Sequence, residues 1–318
     1  MKILLVHTYG LGDMIMATPA IINLAECNPE AKIDLLIFQK LSETPIINAP
    51  FVGRIHYCDF TPASIIKTVS KLNGIGYDLA LHTSGTSVFK MSLLMLAIRA
   101  KKRVGEYGSI KVPWYDLQRR RAEGEHRVLS NIALVETLCE KRAEIHPRFF
   151  LKPASLDFAE DFMKRNGLNG KRVLAIHPGC NEKFANKRWE VEKYIELVKM
   201  VLEKIDDSAV LIIVGPQERK EGEAIRSAVP ESLLVQSDLQ SVAALISKID
   251  LMITNDSGLG HIASCFDTPT LTIFSKKSHA DVRKIEPYGE NSHVVDFREI
   301  ATDDEVETVY AKIERIVE

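Results

Sequence analysis

The sequence has no long apolar run and no cysteine pattern that would hold a metal ion or a disulfide framework. A membrane-spanning helix needs about 20 consecutive apolar residues, whereas the longest apolar runs here have the length of strands, such as residues 3–6 and 210–214. The five cysteines are odd in number and scattered, so we expect reduced thiols. The first residues lack the apolar segment and cleavage site of a signal peptide, which predicts a cytoplasmic protein.

Several motifs for metals and nucleotides are also missing. The chain contains no HExxH, no Cys/His spacing typical of zinc and no DxD pair that would hold a divalent ion against a nucleotide diphosphate. It has no GxxxxGK[ST] phosphate loop, and Ile15 occupies the third small position of a dinucleotide fingerprint. We therefore expect no metal and no cofactor.

The composition is that of a globular protein with an uneven charge. The chain has 318 residues, 46% of them hydrophobic and 26% charged, which allows one large or two medium domains. Residues 1–150 contain 19 Lys and Arg against 14 Asp and Glu, whereas residues 151–318 contain 22 against 29. This asymmetry predicts an anionic partner for the first half. The slightly negative net charge makes nucleic acid an unlikely ligand.

Short apolar runs alternate with helical patterns along the whole chain. Strands are predicted at residues 3–7, 33–38, 54–58 and 78–82, and again at 173–177, 210–214, 233–236, 251–254 and 270–274. This repeated βα order predicts two α/β domains, residues 1–150 and 151–318. A strongly amphipathic helix is predicted at 190–205. We expect a last helix, opened by a capping box of Thr302 and Glu305, to pack back on the N-terminal domain.

One candidate for the chemistry is Asp13, which follows a glycine turn directly after the first strand. Such turns lie at the carboxyl edge of a parallel sheet, where open α/β folds bind ligands. Two interpretations stay open for this side chain. It can cap the helix that follows, predicted from about Met14 to Ala25, or it can accept a proton.

Three further polar segments follow predicted strands in the second half. In the first, Lys187 and Arg188 would suit a phosphate, or the segment is a solvated loop anchored by Trp189. In the second, Glu218 would accept hydrogen bonds from ribose hydroxyls, or it is an ordinary acid at a helix start. The third, residues 254–261, would offer backbone donors to an anion at a helix start.

Four motifs together resemble glycosyltransferase family 9, the ADP-heptose lipopolysaccharide heptosyltransferases. They are GLGDMIMATPAI at 10–21, HPGCNEKFANKRW at 177–189, VGPQE at 214–218 and NDSGLGHIASCFDTPTLTIF at 255–274. The resemblance implies the GT-B fold, with two facing Rossmann-like domains and a central cleft. It also implies a single inverting, metal-independent displacement that moves heptose from ADP-heptose to a lipopolysaccharide core acceptor.

The resemblance also implies roles for individual residues. Asp13 would be the catalytic base and Lys187 the group that stabilises the leaving diphosphate. The implied donor contacts are Gly179, Cys180, Asn181, Glu218, Asp256, Ser257, Gly258 and His261. A second set of residues would suit an anionic, lipid-linked sugar acceptor, together with a peripheral contact on the inner membrane. They are Gly12, Lys101, Lys102, Arg103, Arg119, Arg120 and Arg121.

One departure and two alternatives accompany this resemblance. The loop between His177 and Lys187 is longer than in the core heptosyltransferases, because residues 182–185 are inserted. If the protein is an enzyme, the alternative function is that of a transferase or epimerase that uses another nucleotide-sugar. Outside enzymes, it is a non-catalytic nucleotide-sugar-binding protein of envelope synthesis. The basic residues can also be a solvated loop.

Overall fold

The computed structural model describes residues 1–85, 87–139, 144–180, 182–302 and 304–317. Within these residues the chain forms twelve strands, eleven α-helices and two short 3₁₀ helices. The strands are β1 (Lys2–His7), β2 (Lys32–Ile37), β3 (Val52–Tyr57), β4 (Tyr77–His82), β5 (Ala100–Tyr107), β6 (Leu117–Arg120), β7 (Arg172–His177), β8 (Ser208–Ile213), β9 (Leu233–Val235), β10 (Leu251–Asn255), β11 (Thr270–Phe274) and β12 (Ser292–Asp296).

The helices lie between these strands. They are α1 (Leu11–Glu26), α2 (Pro62–Asn73), α3 (Val88–Ala97), α4 (Arg127–Glu136), α5 (Pro153–Arg165), α6 (Val191–Lys204), α7 (Arg219–Ala228), α8 (Leu239–Ile246), α9 (Gly258–Ser264), α10 (Val282–Ile285) and α11 (Glu305–Val317). The 3₁₀ helices are Lys40–Glu43 and Glu182–Lys187. The chain divides into two compact units, Met1–Phe150 with Arg283–Ile285, and Leu151–Val282 with Glu286–Glu318.

The first unit is built on a six-stranded parallel sheet in the order β3-β2-β1-β4-β5-β6. Right-handed connections place α1 on one face of such a sheet and α2 and α3 on the other. Helix α4 follows the last strand of the sheet, and its packing against α1 places it on the α1 face. On the opposite face, a buried cluster joins residues of α2 and α3 to the sheet, including Val69, Leu72, Met91 and Met95.

The second unit repeats this design with a parallel sheet in the order β12-β11-β10-β7-β8-β9. The amphipathic helix α6 buries Tyr194, Leu197, Val198 and Val201 against it. In each sheet the strand order reverses once, between β1 and β4 and between β7 and β10. A reversal leaves a crevice at the carboxyl ends of the two strands, the usual ligand site of open α/β sheets.

The C-terminal helix α11 packs within the second unit. Val306, Val309 and Ile313 join the core that α6 also covers, so this apolar stripe lies against α6. The predicted capping box of Thr302 and Glu305 is wrong, because the helix begins at Glu305 and Asp304 precedes it as the cap. The Asp304 carboxylate accepts the Glu307 N–H at 2.9 Å, whereas the Thr302 hydroxyl accepts the N–H of Asp304 itself.

The predicted α/β class and all nine predicted strands are confirmed, within two residues at either end. Strands β5, β6 and β12 were not predicted. Strand β5 has three consecutive basic residues directly after its first residue, Ala100, and β6 has only four residues, three of them polar. Neither has the apolar alternation from which a strand is read.

The expectation of reduced thiols throughout is wrong for one pair. Cys27, at the end of α1, and Cys139, just after α4, form a disulfide with their Cα atoms 6.4 Å apart. They are 112 residues apart in sequence, and only the packing of α1 on α4 brings them together. Cys58, Cys180 and Cys265 are buried and are not part of a disulfide. Among the described residues, no helix is both long and apolar enough to cross a membrane.

Candidate active site

Asp13 lies at the strand reversal of the first sheet. Helix α1 begins at Leu11, earlier than predicted, because the glycine turn forms its first turn, and Gly10 is the N-cap. Asp13 is therefore the third residue of the helix and does not cap it. Its partly exposed carboxylate forms an ion pair with Arg127, the first residue of α4. Gly12, the predicted acceptor contact, lies in the same helical turn.

Arg127 is a site residue that the sequence did not reveal. Its guanidinium lies over the Tyr9 ring, 5.3 Å from the centroid. The Tyr9 hydroxyl donates to the Gly85 carbonyl at 3.0 Å, and a side chain at Gly85 would meet the Arg127 Nη1. These contacts join the turns after β1 and β4 to α4 and fix the guanidinium beside Asp13.

Buried histidines support the turns in both units. His7 Nδ1 lies 2.9 Å from the Thr83 hydroxyl, and His7 Nε2 lies 3.3 Å from the Gly10 carbonyl. In the second unit, His177 Nδ1 lies 2.8 Å from the Ile213 carbonyl. Burial lowers the pKa of His7 to about 4 and also lowers the pKa of His177. Both histidines are therefore neutral at physiological pH.

This burial predicts acid sensitivity of folding. Unfolded histidine has a pKa near 6.5, so the unfolded state binds more protons below that pH, and the stabilisation is lost as the pH falls toward 4. Between pH 7 and pH 5, we expect His7 to lower the free energy of unfolding by about 2 kcal/mol, and His177 to act in the same direction. Urea unfolding at both pH values measures this loss. His7→Asn should reduce the loss by about the share of one histidine, and an unchanged loss would contradict the assignment.

The structure does not bring Lys101, Lys102 and Arg103 to Asp13. These three residues lie in the first half of β5, and Lys102 is level with Leu79 of β4, which is itself level with Ile3. Asp13 follows the other end of β1, about 13 Å further along the strands at 3.3 Å per residue. The three basic residues thus lie toward the amino edge of the sheet. Lys101 pairs there with Asp78 at 2.7 Å, and Arg103 Nε donates to the Ile98 carbonyl.

The other predicted basic run lies at the carboxyl edge, but two of its three members have internal partners. Arg121 pairs with the fully buried Glu106 at 2.6 Å, a carboxylate that would be costly to bury alone. Arg119 donates to Glu125 at 2.7 Å and to the Ser130 carbonyl at 3.0 Å. Arg120 is exposed. Of the three arginines, Arg120 is best placed to meet an outside anion.

Lys187 and Asp256 form an ion pair at the strand reversal of the second sheet. Lys187 ends the 3₁₀ helix that precedes α6, and Asp256 follows β10. Both side chains are about 15% exposed, so the pair is accessible at one side only. The Ser275 hydroxyl, at the end of β11, donates to the Lys187 carbonyl at 2.8 Å and holds that backbone in place.

Asn255 connects the two segments that carry this pair. Its buried side chain donates to the carbonyls of Pro178 and Gly179, and its Oδ1 accepts the N–H of Trp189 at 2.9 Å. Trp189 is buried in the core and makes an edge-on contact with Tyr194. The interpretation of Trp189 as a packing anchor is therefore correct, and that anchor positions the residue two places before it, Lys187.

Gly179 and Glu218 are in direct contact at the ends of β7 and β8. A side chain at position 179 would overlap the Glu218 Cγ and Cδ atoms, so only glycine fits. Glu218 is nearly buried and lies 3.6 Å from Arg188, which also donates to the Cys180 carbonyl at 3.0 Å and to Glu221 at 3.1 Å. Arg188 is therefore held by protein groups at this edge of the sheet, whereas its sequence position suggested a phosphate contact.

Of the remaining predicted donor contacts, two lie at the start of α9 and two are buried. Ser257 is the N-cap of α9, with its hydroxyl 2.7 Å from that of Thr254, and Gly258 is the first helical residue. His261 and Cys180 are buried, and burial raises the pKa of the Cys180 thiol. Asn181 lies outside the described residues. Across the described ranges, no three His, Cys, Asp or Glu side chains are grouped so that they could hold a metal ion.

Comparison with known proteins decides the family. The model of glycosyltransferase family 9 (heptosyltransferase) matches residues 65–312. The chain belongs to glycosyltransferase family 9. The predicted family is thus confirmed, and with it the prediction of a glycosyltransferase enzyme. The match begins after Asp13, so the assignment does not depend on the first motif.

Individual relatives of this family 9 glycosyltransferase agree with the assignment. Lipopolysaccharide heptosyltransferase 3 of Escherichia coli K12 is 26% identical over 304 residues, covering 88% of this chain and 83% of the relative. The structure of E. coli ADP-heptose lps heptosyltransferase II superposes with a TM-score of 0.76 at 20% identity, covering 100% of this chain and 98% of the other. The structure of E. coli heptosyltransferase WaaC with ADP superposes with a TM-score of 0.74 at 18% identity, covering 99% of this chain and 100% of the other. The predicted GT-B fold class is confirmed.

Proposed function

We propose that this enzyme transfers heptose from ADP-heptose to a lipopolysaccharide core acceptor by a single inverting displacement without a metal ion. The observation that carries the proposal is the pair of sites at the two strand reversals. One presents a carboxylate, Asp13, and the other presents an ammonium group, Lys187. A displacement at an anomeric carbon needs both, because a proton must leave the attacking hydroxyl while negative charge develops on the departing diphosphate.

In the first unit, Asp13 acts as the general base. The acceptor hydroxyl oxygen attacks the anomeric carbon, its proton passes to the Asp13 carboxylate, and the bond from that carbon to the phosphate oxygen breaks. Arg127 holds the carboxylate in one orientation before the acceptor arrives. A base fixed in this way loses little conformational entropy when the reaction begins.

In the second unit, Lys187 acts on the diphosphate. Its ammonium group is held at the carboxyl edge by Asp256 and by the backbone contact to Ser275. A charge-assisted hydrogen bond from Lys187 would strengthen as the phosphate oxygen becomes negative and ADP departs. Ser257 and Gly258 would supply further polar groups beside it, and His261 would support their helix from within.

Glu218 and the Gly179–Cys180 turn bind the ribose in this proposal. The Glu218 carboxylate lies where β8 ends, one strand away from the Lys187 pair. Its two oxygens can accept hydrogen bonds from neighbouring ribose hydroxyls. Support for adenine as the base comes from the ADP named for the WaaC structure.

We propose fewer acceptor contacts than the sequence suggested. Arg120 lies at the same sheet edge as Asp13 and is exposed, so it is our candidate for an anionic group of the acceptor. Lys101, Lys102 and Arg103 lie toward the other edge and are not included.

The proposal is tested by incubating the enzyme with ADP-heptose and a panel of truncated lipopolysaccharide acceptors and weighing the products. We expect one acceptor to gain the mass of one heptosyl group while ADP is released. Calorimetry with ADP, UDP and GDP is the companion measurement, and we expect ADP to bind most tightly. Preference for UDP or GDP would favour the alternative of another nucleotide-sugar. Tight ADP binding with no product from any acceptor would favour a non-catalytic binding protein.

A further inference from the structure

Helices α2 and α3 form one layer on the first sheet, and the outer side of this layer is apolar. The inner side buries Val69 and Leu72 of α2 and Met91 and Met95 of α3. On the outer side, four large apolar side chains are exposed instead: Ile66 at 70%, Phe89 at 71%, Leu93 at 46% and Leu96 at 46%. We call these four residues the outer apolar face.

Three residues of the outer apolar face form one stripe on α3, and the fourth, Ile66, lies on α2 beside a groove. Phe89, Leu93 and Leu96 are spaced by four and three residues, so they form one stripe along α3. A groove of about 510 Å³ separates α2 from α3, and its lining includes Ile66 on one side and Ala97 on the other. Single exposed apolar residues are common on protein surfaces, but a contiguous apolar patch indicates an interaction site.

The charge around this face has one sign. Helices α2 and α3 contain three lysines and no acidic residue, and Arg99 lines the groove between them. The nearest acidic residues in the sequence are Asp59, Asp78 and Glu106. Asp78 is already engaged, because it pairs with Lys101 and accepts the Lys2 N–H at 2.8 Å. Lys67, Lys71 and Lys90, on the two helices themselves, are exposed.

We propose that the outer apolar face docks on an anionic lipid surface. Apolar side chains flanked by lysines suit the boundary between anionic headgroups and acyl chains, where a helix can lie in the plane of the membrane. Each lysine near such a surface adds attraction that salt screens. A second copy of this chain fits less well, because a two-fold contact would set this cationic face against itself. The inference goes beyond the proposed transfer reaction and does not depend on it.

The test is co-sedimentation of the full-length protein with vesicles, without nucleotide or acceptor. One set contains phosphatidylcholine alone and the other adds phosphatidylglycerol. We expect binding to the anionic vesicles that weakens as salt is raised. The double variant Phe89→Ser, Leu93→Ser should lower the partition coefficient by about tenfold or more, because two large side chains no longer enter the lipid. The variant Lys67→Glu, Lys71→Glu, Lys90→Glu should lose the preference for anionic vesicles.

The matched control is Leu41→Ser. Leu41 is also an exposed leucine of the first unit, at 58%, but it lies in the 3₁₀ helix after β2, and its replacement should leave vesicle binding unchanged. All altered side chains are exposed, and the midpoint of urea unfolding checks that each variant folds. Absence of wild-type binding, or equal binding by the Phe89 and Leu93 variant, would overturn the proposal. A dimer in solution that the same variant dissociates would assign the face to a second copy and also overturn it.

Discussion

Asp13→Asn is expected to lower turnover by roughly 100-fold or more, the usual loss when a general base is removed. Asparagine has nearly the same shape and keeps an oxygen that Arg127 can reach, but it cannot take up the proton of the acceptor hydroxyl. The donor contacts that we propose all lie in the second unit, so the affinity for ADP should be nearly unchanged. Steady-state kinetics and calorimetry with ADP separate the two effects.

The matched control for this variant is Asp78→Asn. Asp78 also pairs with a basic side chain, Lys101, but at the opposite edge of the same sheet. Loss of that exposed pair should cost little stability and should not change turnover. Wild-type turnover in Asp13→Asn, or an equal loss in both variants, would remove Asp13 from the proposed mechanism.

Lys187→Ala is expected to weaken ADP binding by roughly 10-fold or more and to lower turnover as well. A hydrogen bond to a charged group contributes about 1.5–3 kcal/mol, and the contact should strengthen as the diphosphate leaves. Loss of the ion pair with Asp256 is a second cause of weaker ADP binding. Without Lys187, the Asp256 carboxylate would remain beside the anionic diphosphate and repel it.

A double-mutant cycle separates these two causes. If repulsion contributes, Asp256→Asn in the Lys187→Ala background should recover part of the ADP affinity. The control is Lys204→Ala, because Lys204 ends α6, away from the carboxyl edge, and contacts the Tyr310 ring. Unchanged ADP affinity and turnover in Lys187→Ala would refute the role of Lys187.

The order of the strands explains why much of each site could be predicted. In a parallel sheet, every strand ends at the same edge, so polar residues that follow predicted strands must come near one another. The contacts of Lys187 with Asp256 and of Gly179 with Glu218 follow this rule, although the sequence motifs marked these residues only singly. The same reasoning applied to the whole chain predicts two repeated sheets, as observed.

What could not be predicted depends on contacts between distant segments. Arg127 is 114 residues from Asp13, and its sequence neighbourhood carries no motif that marks a partner. The disulfide of Cys27 and Cys139 has the same origin, since helix packing alone brings the two thiols together. Asn255 was passed over because its role is to bind backbone groups of other loops.

The basic residues show how charge can mislead a sequence-based prediction. A run such as Lys101–Arg103 is typical of an exposed anion-binding loop, yet here it begins a strand. Arg121 pairs with the buried Glu106, so its partner lies inside the protein. Sequence gives the amount of charge in a segment, whereas the sheet edge at which the charge lies follows from the fold.

The central claim is that one displacement, with Asp13 as base and ADP as leaving group, transfers the sugar. The most direct test is the anomeric configuration of the transferred heptose, measured by NMR from its one-bond carbon–hydrogen coupling in the first product formed. A single displacement predicts the configuration opposite to that in the donor. Retention of the donor configuration would require an intermediate step and would contradict the account.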